Sequence, residues 1–258
     1  MTPPPVTRLE TVMGTVVTID VYPGHEFSGE QAGHLEQRIE DACAILHRAD
    51  EVFSTWQPAS PVSRLRRGEI ALQDAPAEVA EVVAACTAAR QLAGGWFDPW
   101  AMPGGFDPTG YVKGWAAERA LAALGPAHGI AGAMVNAAGD IASFGALPAG
   151  QPFRIGIADP AARMRLAAIV ELTGAIATSG SYERGQHLID PHSGTPAARA
   201  ASASVTGPDL GLADALATAL AVAGPDGLEF VAAIAGYAGL VIGFDGATRS
   251  SPGFPFAG

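Results

Sequence analysis

The stretch from residue 177 to residue 194 concentrates side chains that can do chemistry. It combines the hydroxyl of Ser179 with His187, Asp190 and His192, in a chain otherwise rich in alanine. Hydroxyls, imidazoles and a carboxylate within one short segment are the residue types of a nucleophile, an acid–base catalyst or a metal ligand. The stretch is therefore predicted to bind a small polar ligand.

Two self-contained sites could be built from this stretch, and the sequence disfavours both. In an extended strand from Gln186 to Asp190, the side chains of His187 and Asp190 point to opposite faces, which opposes a metal cluster of these two with His192. A triad of Ser179, His187 and Asp190 lacks the strand-turn-helix elbow that exposes a hydrolase serine. A ligand-binding loop with His187 as its one acid–base group is the favoured interpretation.

A second candidate lies in the apolar segment 212–220. Asp214 and Thr218 stand four residues apart there, so they share one face of a predicted helix. Two oxygen ligands on one helix face suit Mg²⁺, which phosphates and water usually complete. A structural role explains the same residues equally well, with Asp214 serving the helix dipole and Thr218 bonding back to a carbonyl.

Two turns could complete such a site. In the segment 107–114, backbone N–H groups at a helix start and the Lys113 ammonium could meet phosphate oxygens. A capping Asp107 beside a solvated Lys113 accounts for the same residues. The segment 135–140 ends a strand in a tight turn with an asparagine and an aspartate at its lip, and a purely structural turn explains it about as well.

Composition limits the classes of function. A chain of 258 residues can bury a substantial core, and we expect one catalytic unit over residues 1–258. The formal net charge of −11 opposes nucleic acid or an anionic membrane as a partner, and an anionic substrate would need a metal or local cations. Cys43 and Cys86 sit in apolar helical patterns and are expected to be core thiols. The first residues lack the pattern of a secretion signal or lipid anchor, so a cytoplasmic protein without a membrane anchor is expected.

The elements that must hold these groups follow from hydrophobic periodicity. Alternation predicts a strand at 16–22 that opens the fold, and three- and four-residue steps predict a helix at about 30–53. The turn-rich segment 54–61 follows this helix. It carries Trp56 and could cover a planar ligand. Further helices are predicted at about 76–92 (capped by Asp74), 110–124, 210–222 and 228–234, with short strands at 134–136, 141–144, 153–157, 168–172 and 239–244. The partly segregated helices and mainly antiparallel strands indicate an α+β fold.

Taken in order, these segments resemble the ApbE family, the FAD:protein FMN transferases, nearly from end to end. The segment 107–114 matches the family pattern Asp-x-x-Gly-x-x-Lys-Gly, and 155–160 matches its Gly-Ile-x-Asp-Pro strand end. The other segments that carry the resemblance are Met13-Gly14-Thr15, Phe53 to Trp56 with Ser60 and Arg64-Leu65, Gly95 to Pro99, Val135 to Asp140, Thr178 to Gly194, and Ala213 to Ala219.

The resemblance implies a T-fold-like architecture, an active site and a reaction. FAD would bind with its isoalloxazine near Met13 and Trp56 and its diphosphate near Asp107 and Lys113, and the other cofactor-binding residues implied are Trp96, Phe97, Asp98 and Ile189. Mg²⁺, or Mn²⁺, would be held by Asp214, Thr218 and the Gly110 carbonyl. The resemblance also implies that Asp214 is a catalytic residue. A Thr or Ser hydroxyl of an acceptor flavoprotein would attack the FMN-side phosphorus and AMP would leave, with His187 moving or positioning the proton.

This chain departs from the family pattern in two places. Residues 100–105 replace what is a longer segment in most relatives, so one wall of the flavin site must be built differently. Ala138 also stands where the family usually has glycine. Two other functions share the same site, namely Mg²⁺-dependent hydrolysis of FAD to FMN and AMP, and binding of flavin without catalysis.

Overall fold

The computed structural model describes residues 4–24, 29–126, 129–180 and 188–258. In these ranges, eight strands form one antiparallel sheet in the order β1-β2-β3-β4-β7-β10-β11-β12, and β5-β6 and β8-β9 form two separate hairpins. The strands are β1 Val6–Val12, β2 Thr15–Pro23, β3 Ile130–Ala137, β4 Asp140–Gly145, β5 Phe153–Asp159, β6 Ala162–Leu172, β7 Ala175–Gly180, β8 Ile189–Asp190, β9 Thr195–Pro196, β10 Ser202–Gly207, β11 Ala238–Ile242 and β12 Thr248–Ser250.

The helices pack on one face of the large sheet and enclose the larger of two cores. The smaller core lies on the opposite face, where the β5-β6 hairpin packs. The buried thiols of Cys43 and Cys86 are both free, as expected. The helices are α1 Gly29–Phe53, α2 Pro61–Arg66, α3 Ala77–Leu92, α4 Thr109–Leu124, α5 Leu210–Ala223 and α6 Leu228–Ala232. The predicted α+β class with mainly antiparallel strands is confirmed.

The sheet begins one strand earlier than the sequence predicts. Strand β1 precedes β2 and pairs with it through a two-residue turn at Met13-Gly14, where Val12 faces Thr15. Both turn residues have positive φ, 53° at Met13 and 70° at Gly14, as a type I′ hairpin turn requires. The prediction that the strand at 16–22 opens the fold is therefore wrong. Strand β1 lies at the edge of the sheet and alternates half-buried with exposed residues, so its apolar signal is weak.

Two helix starts differ from the sequence interpretation. Asp74 was expected to cap α3, but it lies in a short 3-10 turn, and Pro76 occupies the cap position without a side-chain bond. Helix α2 was not predicted. It begins in the turn-rich segment, where the Ser60 hydroxyl accepts a hydrogen bond from the Ser63 N–H at 3.0 Å. A serine cap followed by proline at the first helical position is a recognised start signal.

Helix α5 is the central helix of the molecule. It packs against α4 and against β7 and β10, and almost all of its side chains are buried. The helical stretch Leu210–Ala232 is long and apolar enough to cross a membrane by length and composition, but most of it lies inside the molecule. Its apolar surface therefore serves the core of this fold.

Candidate functional site

An open cleft, called here the main cleft, lies where the first turn of α4 meets α5, the end of strand β7 and β8. Its walls combine apolar side chains with carboxylates, hydroxyls and an ammonium group. The lining residues are Trp96, Phe97, Asp98, Pro99, Met102, Asp107, Thr109, Gly110, Lys113, Thr178, Ser179, Gly180, Leu188, Ile189, Asp214 and Thr218. A concave apolar surface with a few converging polar groups is the usual form of a small-molecule site.

Glycine residues allow α4 and α5 to cross closely at the base of this cleft. A Cβ on Gly114 would overlap the backbone of Leu210 and Gly211, and a Cβ on Gly211 would lie 2.9 Å from the Tyr111 ring. Neither glycine has a positive φ, so the requirement here is space. The close crossing brings the first turn of α4 against the polar face of α5.

Asp214 lies on that polar face. Its side chain is buried, at 3% exposure, and its carboxylate accepts a hydrogen bond from the Gly114 N–H at 3.3 Å. One turn later, the Thr218 hydroxyl lies 3.1 Å from the hydroxyl of Ser179 on strand β7. The predicted shared face of Asp214 and Thr218 is confirmed, and the alternative of an Asp in the first turn of the helix is wrong, because Asp209 caps α5 five residues earlier.

Gly110 brings the backbone of α4 close to Thr218. Its ψ is 15°, against about −42° in a regular helix, which turns its carbonyl away from the helical direction. A Cβ on Gly110 would lie 3.3 Å from both the Thr218 hydroxyl and the Phe97 ring, so the backbone approaches Thr218 closely only because no side chain intervenes. A carboxylate, a hydroxyl and a carbonyl form an all-oxygen donor set, which suits Mg²⁺ or Mn²⁺. Within the described ranges, no three His, Cys, Asp or Glu side chains cluster as a ready-made metal site.

Lys113 forms an ion pair with Asp140, the aspartate of the predicted turn at 135–140. The sequence pattern did not predict this pairing. The Asp140 side chain is fully buried, and its second oxygen accepts a hydrogen bond from the Thr178 N–H at 3.0 Å. The two-residue turn before it, Ala138-Gly139, has positive φ at both positions. The predicted tight turn is confirmed, and it delivers a buried carboxylate under the Lys113 ammonium. Lys113 is thus held at the cleft by Asp140, with 20% of its side chain exposed.

The predicted cofactor-binding residues Asp98 and Asp107 each lie in a Phe-Asp-Pro motif, at 97–99 and 106–108. Both line the main cleft, and their carboxylates contact other protein groups. The Asp98 carboxylate pairs with Arg90 at 2.7 Å and accepts the Trp100 N–H at 2.9 Å. The Asp107 carboxylate accepts the Thr109 N–H at 3.1 Å and lies 3.5 Å from the guanidinium of Arg66. Both carboxylates therefore shape the loop that walls the cleft.

A second cleft adjoins the first. It is lined by Met13 and Trp56 among others, and it shares Thr109 and Lys113 with the main cleft. The Trp56 indole is 91% exposed, so one of its faces is open for stacking, while Met13 sits in the positive-φ hairpin turn. The residues predicted for the isoalloxazine and those predicted for the diphosphate thus lie in two clefts that meet at Lys113.

The described residues of the polar stretch 177–194 lie in two different strands and next to the second one. Its first part belongs to strand β7, and Ile189 with Asp190 forms the short strand β8. Ile189 lines the main cleft as predicted, whereas His187 lies outside the described residues. The structure therefore does not test its predicted role.

Asp190 is buried and holds a small cluster at the rim of the cleft. Its carboxylate lies 3.3 Å from the His192 imidazole and 3.8 Å from the Arg199 guanidinium. Burial raises the pKa of Asp190, but hydrogen bonds from the His192 backbone and side chain outweigh it and hold this pKa below its usual range. Trp96 packs against both partners, with its ring 4.4 Å from His192 and 4.9 Å from Arg199. Asp190 thus orders the rim beside Trp96.

Sequence reasoning named Asp140 and Ser179 without their partners, and it gave Arg66 no role. Asp140 was visible as the last residue of a turn motif, but its pairing with Lys113 depends on strand β4 lying beside α4. Arg66 and Ser179 act through contacts with the loop 99–107 and with α5, which no local pattern encodes. A basic residue at the end of a short capped helix was the available signal for Arg66.

Comparison with known proteins places this architecture among characterised relatives. A model of the ApbE family matches residues 13–105 and 103–241, which together span most of the chain. A protein of Rhodobacter capsulatus named FAD:protein FMN transferase is 36% identical over 156 residues, which are 57% of this chain. That aligned segment spans only 29% of the length of the relative.

Solved structures share the fold over nearly the whole chain. The flavin transferase ApbE of Vibrio cholerae superimposes with a TM-score of 0.80 at 22% identity, covering 97% of this chain and 98% of the other. The ApbE protein of Thermotoga maritima gives a TM-score of 0.79 at 23% identity, covering 96% and 97%. The flavinyl transferase ApbE of Pseudomonas stutzeri gives 0.77 at 23% identity, covering 98% and 97%. The mixed helices and antiparallel strands described above are therefore the fold of these structures.

Proposed function

The chain belongs to the ApbE family, and from this premise we propose that it is an enzyme that transfers the FMN part of FAD to a Thr or Ser hydroxyl of an acceptor flavoprotein and releases AMP. One observation carries the proposal. Asp214, Thr218 and Gly110 present an all-oxygen donor set in the same cleft as the Lys113 ammonium. The relative from Rhodobacter capsulatus, named for this activity, supports the choice of reaction.

The shape of the two clefts suits a dinucleotide. FAD carries two planar groups joined by a diphosphate, and the main and second clefts meet at Lys113 and Thr109. The diphosphate would lie at this junction, where the lysine ammonium can bind phosphate oxygens. The isoalloxazine would reach the exposed face of Trp56, and the adenylate would lie toward Trp96 and Phe97.

The oxygen donors fit a divalent cation. Asp214, Thr218 and the Gly110 carbonyl would hold Mg²⁺, with Mn²⁺ as an alternative of the same ligand preference. When bound, the ion would neutralise phosphate charge and stabilise the charge that develops on the transferred phosphoryl group. The net charge of −11 makes such local neutralisation necessary for an anionic substrate.

The reaction exchanges one bond to phosphorus for another. The hydroxyl oxygen of the acceptor attacks the phosphorus on the FMN side, and the bond from that phosphorus to the bridging oxygen breaks. The bridging oxygen leaves with AMP, and the hydroxyl proton passes to a base, for which we propose His187. Lys113, held by Asp140, would stabilise negative charge on the diphosphate as the bond breaks.

Transfer and hydrolysis differ only in the acceptor, so one experiment separates them. The protein is incubated with FAD, Mg²⁺ and a candidate flavoprotein fragment, and a denaturing gel is viewed under ultraviolet light while AMP is measured by chromatography. A fluorescent acceptor band with AMP release supports transfer. AMP without a fluorescent band would indicate FAD hydrolysis, and neither product would leave flavin binding alone.

One variant completes this test. His187→Ala should lower turnover strongly, and near-normal turnover would remove the histidine from the mechanism. The cytoplasmic location and the lack of a membrane anchor stay predictions. Labelling of acceptor fragments in fractionated cells tests the location.

A further inference from the structure

Arg66 joins helix α2 to the loop that forms one wall of the main cleft. Its guanidinium donates to the carbonyl of Pro103 at 2.6 Å and to that of Gly104 at 3.2 Å, and lies 3.5 Å from the Asp107 carboxylate. The Arg66 side chain is only 15% exposed. Its neighbour Arg64 is 46% exposed and contacts only Glu69, at 3.7 Å, among the ion pairs of the described residues.

The loop itself is closed by its own hydrogen bonds. The Asp107 N–H donates to the Pro99 carbonyl at 2.8 Å, which joins the two Phe-Asp-Pro motifs. The Trp100 and Phe106 rings, both in this segment, pack against each other with centroids 5.2 Å apart and planes tilted by 36°. Gly104 has a φ of 84°, and a Cβ on it would lie 2.7 Å from the Arg66 guanidinium, so both its conformation and the space suit glycine.

This loop faces the ligand space. Pro99, Met102 and Asp107 line the main cleft, and Met102 immediately precedes the carbonyls that Arg66 holds. A planar guanidinium can hold two carbonyls and a carboxylate at once, whereas the ammonium of a lysine acts as a point charge. The position of the wall therefore depends on the fork geometry of Arg66 in addition to its charge.

We propose that Arg66 is a positioning residue that fixes the loop 99–107 as a preformed wall of the flavin dinucleotide site, and so sets the affinity for FAD. The inference rests on the proposed function for the identity of the ligand. It accounts for the short segment 100–105 of this chain, because a compact loop pinned by one arginine supplies the wall. Arg66 acts on binding and leaves the chemistry of phosphoryl transfer to the groups around Asp214.

Two variants and one control test the assignment. Arg66→Met removes the contacts, Arg66→Lys keeps the charge without the fork, and Arg64→Met removes an exposed arginine of the same helix. Hydrogen exchange of the loop amides is measured without FAD, and the Kd for FAD is measured by flavin fluorescence with Mg²⁺ present. Melting temperatures identify any variant that fails to fold.

Both Arg66 variants should speed exchange of the Gly105 and Asp107 amides and weaken FAD binding, each by about tenfold, the size expected for a lost charge-assisted hydrogen bond. KM for FAD should rise while kcat at saturating FAD stays near the wild-type value. Arg64→Met should change none of these quantities.

Three results would overturn the assignment. Wild-type FAD affinity in Arg66→Lys would mean that only the charge of Arg66 matters. Unchanged hydrogen exchange in Arg66→Met would mean that the loop keeps its conformation without Arg66. Faster exchange with unchanged FAD affinity would mean that the order of the loop does not affect FAD binding. Failure of the proposed function gives a different result, since the wild-type protein would then leave the acceptor fragment unlabelled, whatever the Arg66 variants do to the loop and to FAD affinity.

Discussion

The hydroxyl oxygens of Ser179 and Thr218 lie 3.1 Å apart and connect the end of strand β7 to helix α5 beside Asp214. This contact fixes the rotamer of Thr218, one of the three proposed ligands of the metal. Groups that orient a metal ligand contribute to metal affinity without touching the ion.

Ser179→Ala should therefore weaken Mg²⁺ binding by about tenfold, with only a small loss of stability, because the Thr218 hydroxyl loses its partner. Isothermal titration with Mg²⁺ in the presence of a non-reactive FAD analogue measures the affinity. Ser204→Ala is the matched control, since it removes a similar hydroxyl contact, to Thr178 at 2.8 Å, on the adjacent strand. Equal Mg²⁺ affinity in both variants would remove Thr218 from the metal site.

Variants of the ion pair between Lys113 and Asp140 should affect stability and turnover differently. Lys113→Met leaves the fully buried Asp140 carboxylate without its cation, which should cost about 3 kcal/mol of unfolding free energy. Adding Asp140→Asn removes the buried charge and should restore part of the stability, while turnover stays reduced by about 100-fold. Urea unfolding and FAD turnover measure the two effects. Full recovery of turnover in the double variant would show that Lys113 does not act on the diphosphate.

Protonation of Glu118, which contacts the start of helix α5, should make the stability of the protein depend on pH. Its carboxylate accepts the Leu210 N–H at 3.1 Å, and burial, reinforced by the charge of Asp209, raises its pKa to about 7. A pKa raised in the folded state means that the folded protein binds the proton of Glu118 more tightly than the unfolded chain does. The resulting contribution to the free energy of unfolding is complete below pH 4.5 and is lost as pH rises through about 7.

Glu118→Gln should remove this dependence. The unfolding free energy of the variant relative to wild type should increase between pH 4.5 and about 7 and then level off, by about 1 to 3 kcal/mol in total. Urea unfolding at a series of pH values provides the measurement. A difference that does not change with pH over this range would contradict the raised pKa.

Ala138 is strained by its turn. Its φ is 54°, in the region that favours glycine. Ala138→Gly should raise the unfolding free energy by up to about 1 kcal/mol, because relief of the strain exceeds the entropy that glycine adds to the unfolded chain. Ala168→Gly, in strand β6 with an ordinary φ, should instead lower it by about 0.5 to 1 kcal/mol. Destabilisation by Ala138→Gly would contradict the strain.

The periodic parts of the fold could be predicted from the sequence, and the contacts between them could not. Regular apolar spacing gave α1, α3, α4 and α5 to within a few residues, because each buries one face or is buried throughout. Strand β1 was missed because it lies at a sheet edge with few apolar residues. Asp74 was mistaken for a cap because local sequence does not show which turn precedes a helix.

The same limit applies to the candidate site. Asp214 and Thr218 could be paired from their spacing on one helix, and Lys113 from its motif. The contacts of Lys113 with Asp140, of Ser179 with Thr218 and of Arg66 with Gly104 join residues 27 or more positions apart. Such contacts are set by the packing of strands and helices, so no local pattern announces them.

The central claim is that the chain transfers FMN to a protein hydroxyl with a metal held at Asp214. The most direct measurement is the intact mass of a purified acceptor fragment after incubation with FAD and Mg²⁺, using wild type and Asp214→Asn, which keeps the size of the side chain. The wild type should add one FMN to the acceptor, and the variant or a chelator should slow this addition at least about 100-fold. An unmodified acceptor with FAD-bound wild type, or equal labelling by Asp214→Asn, would contradict the claim.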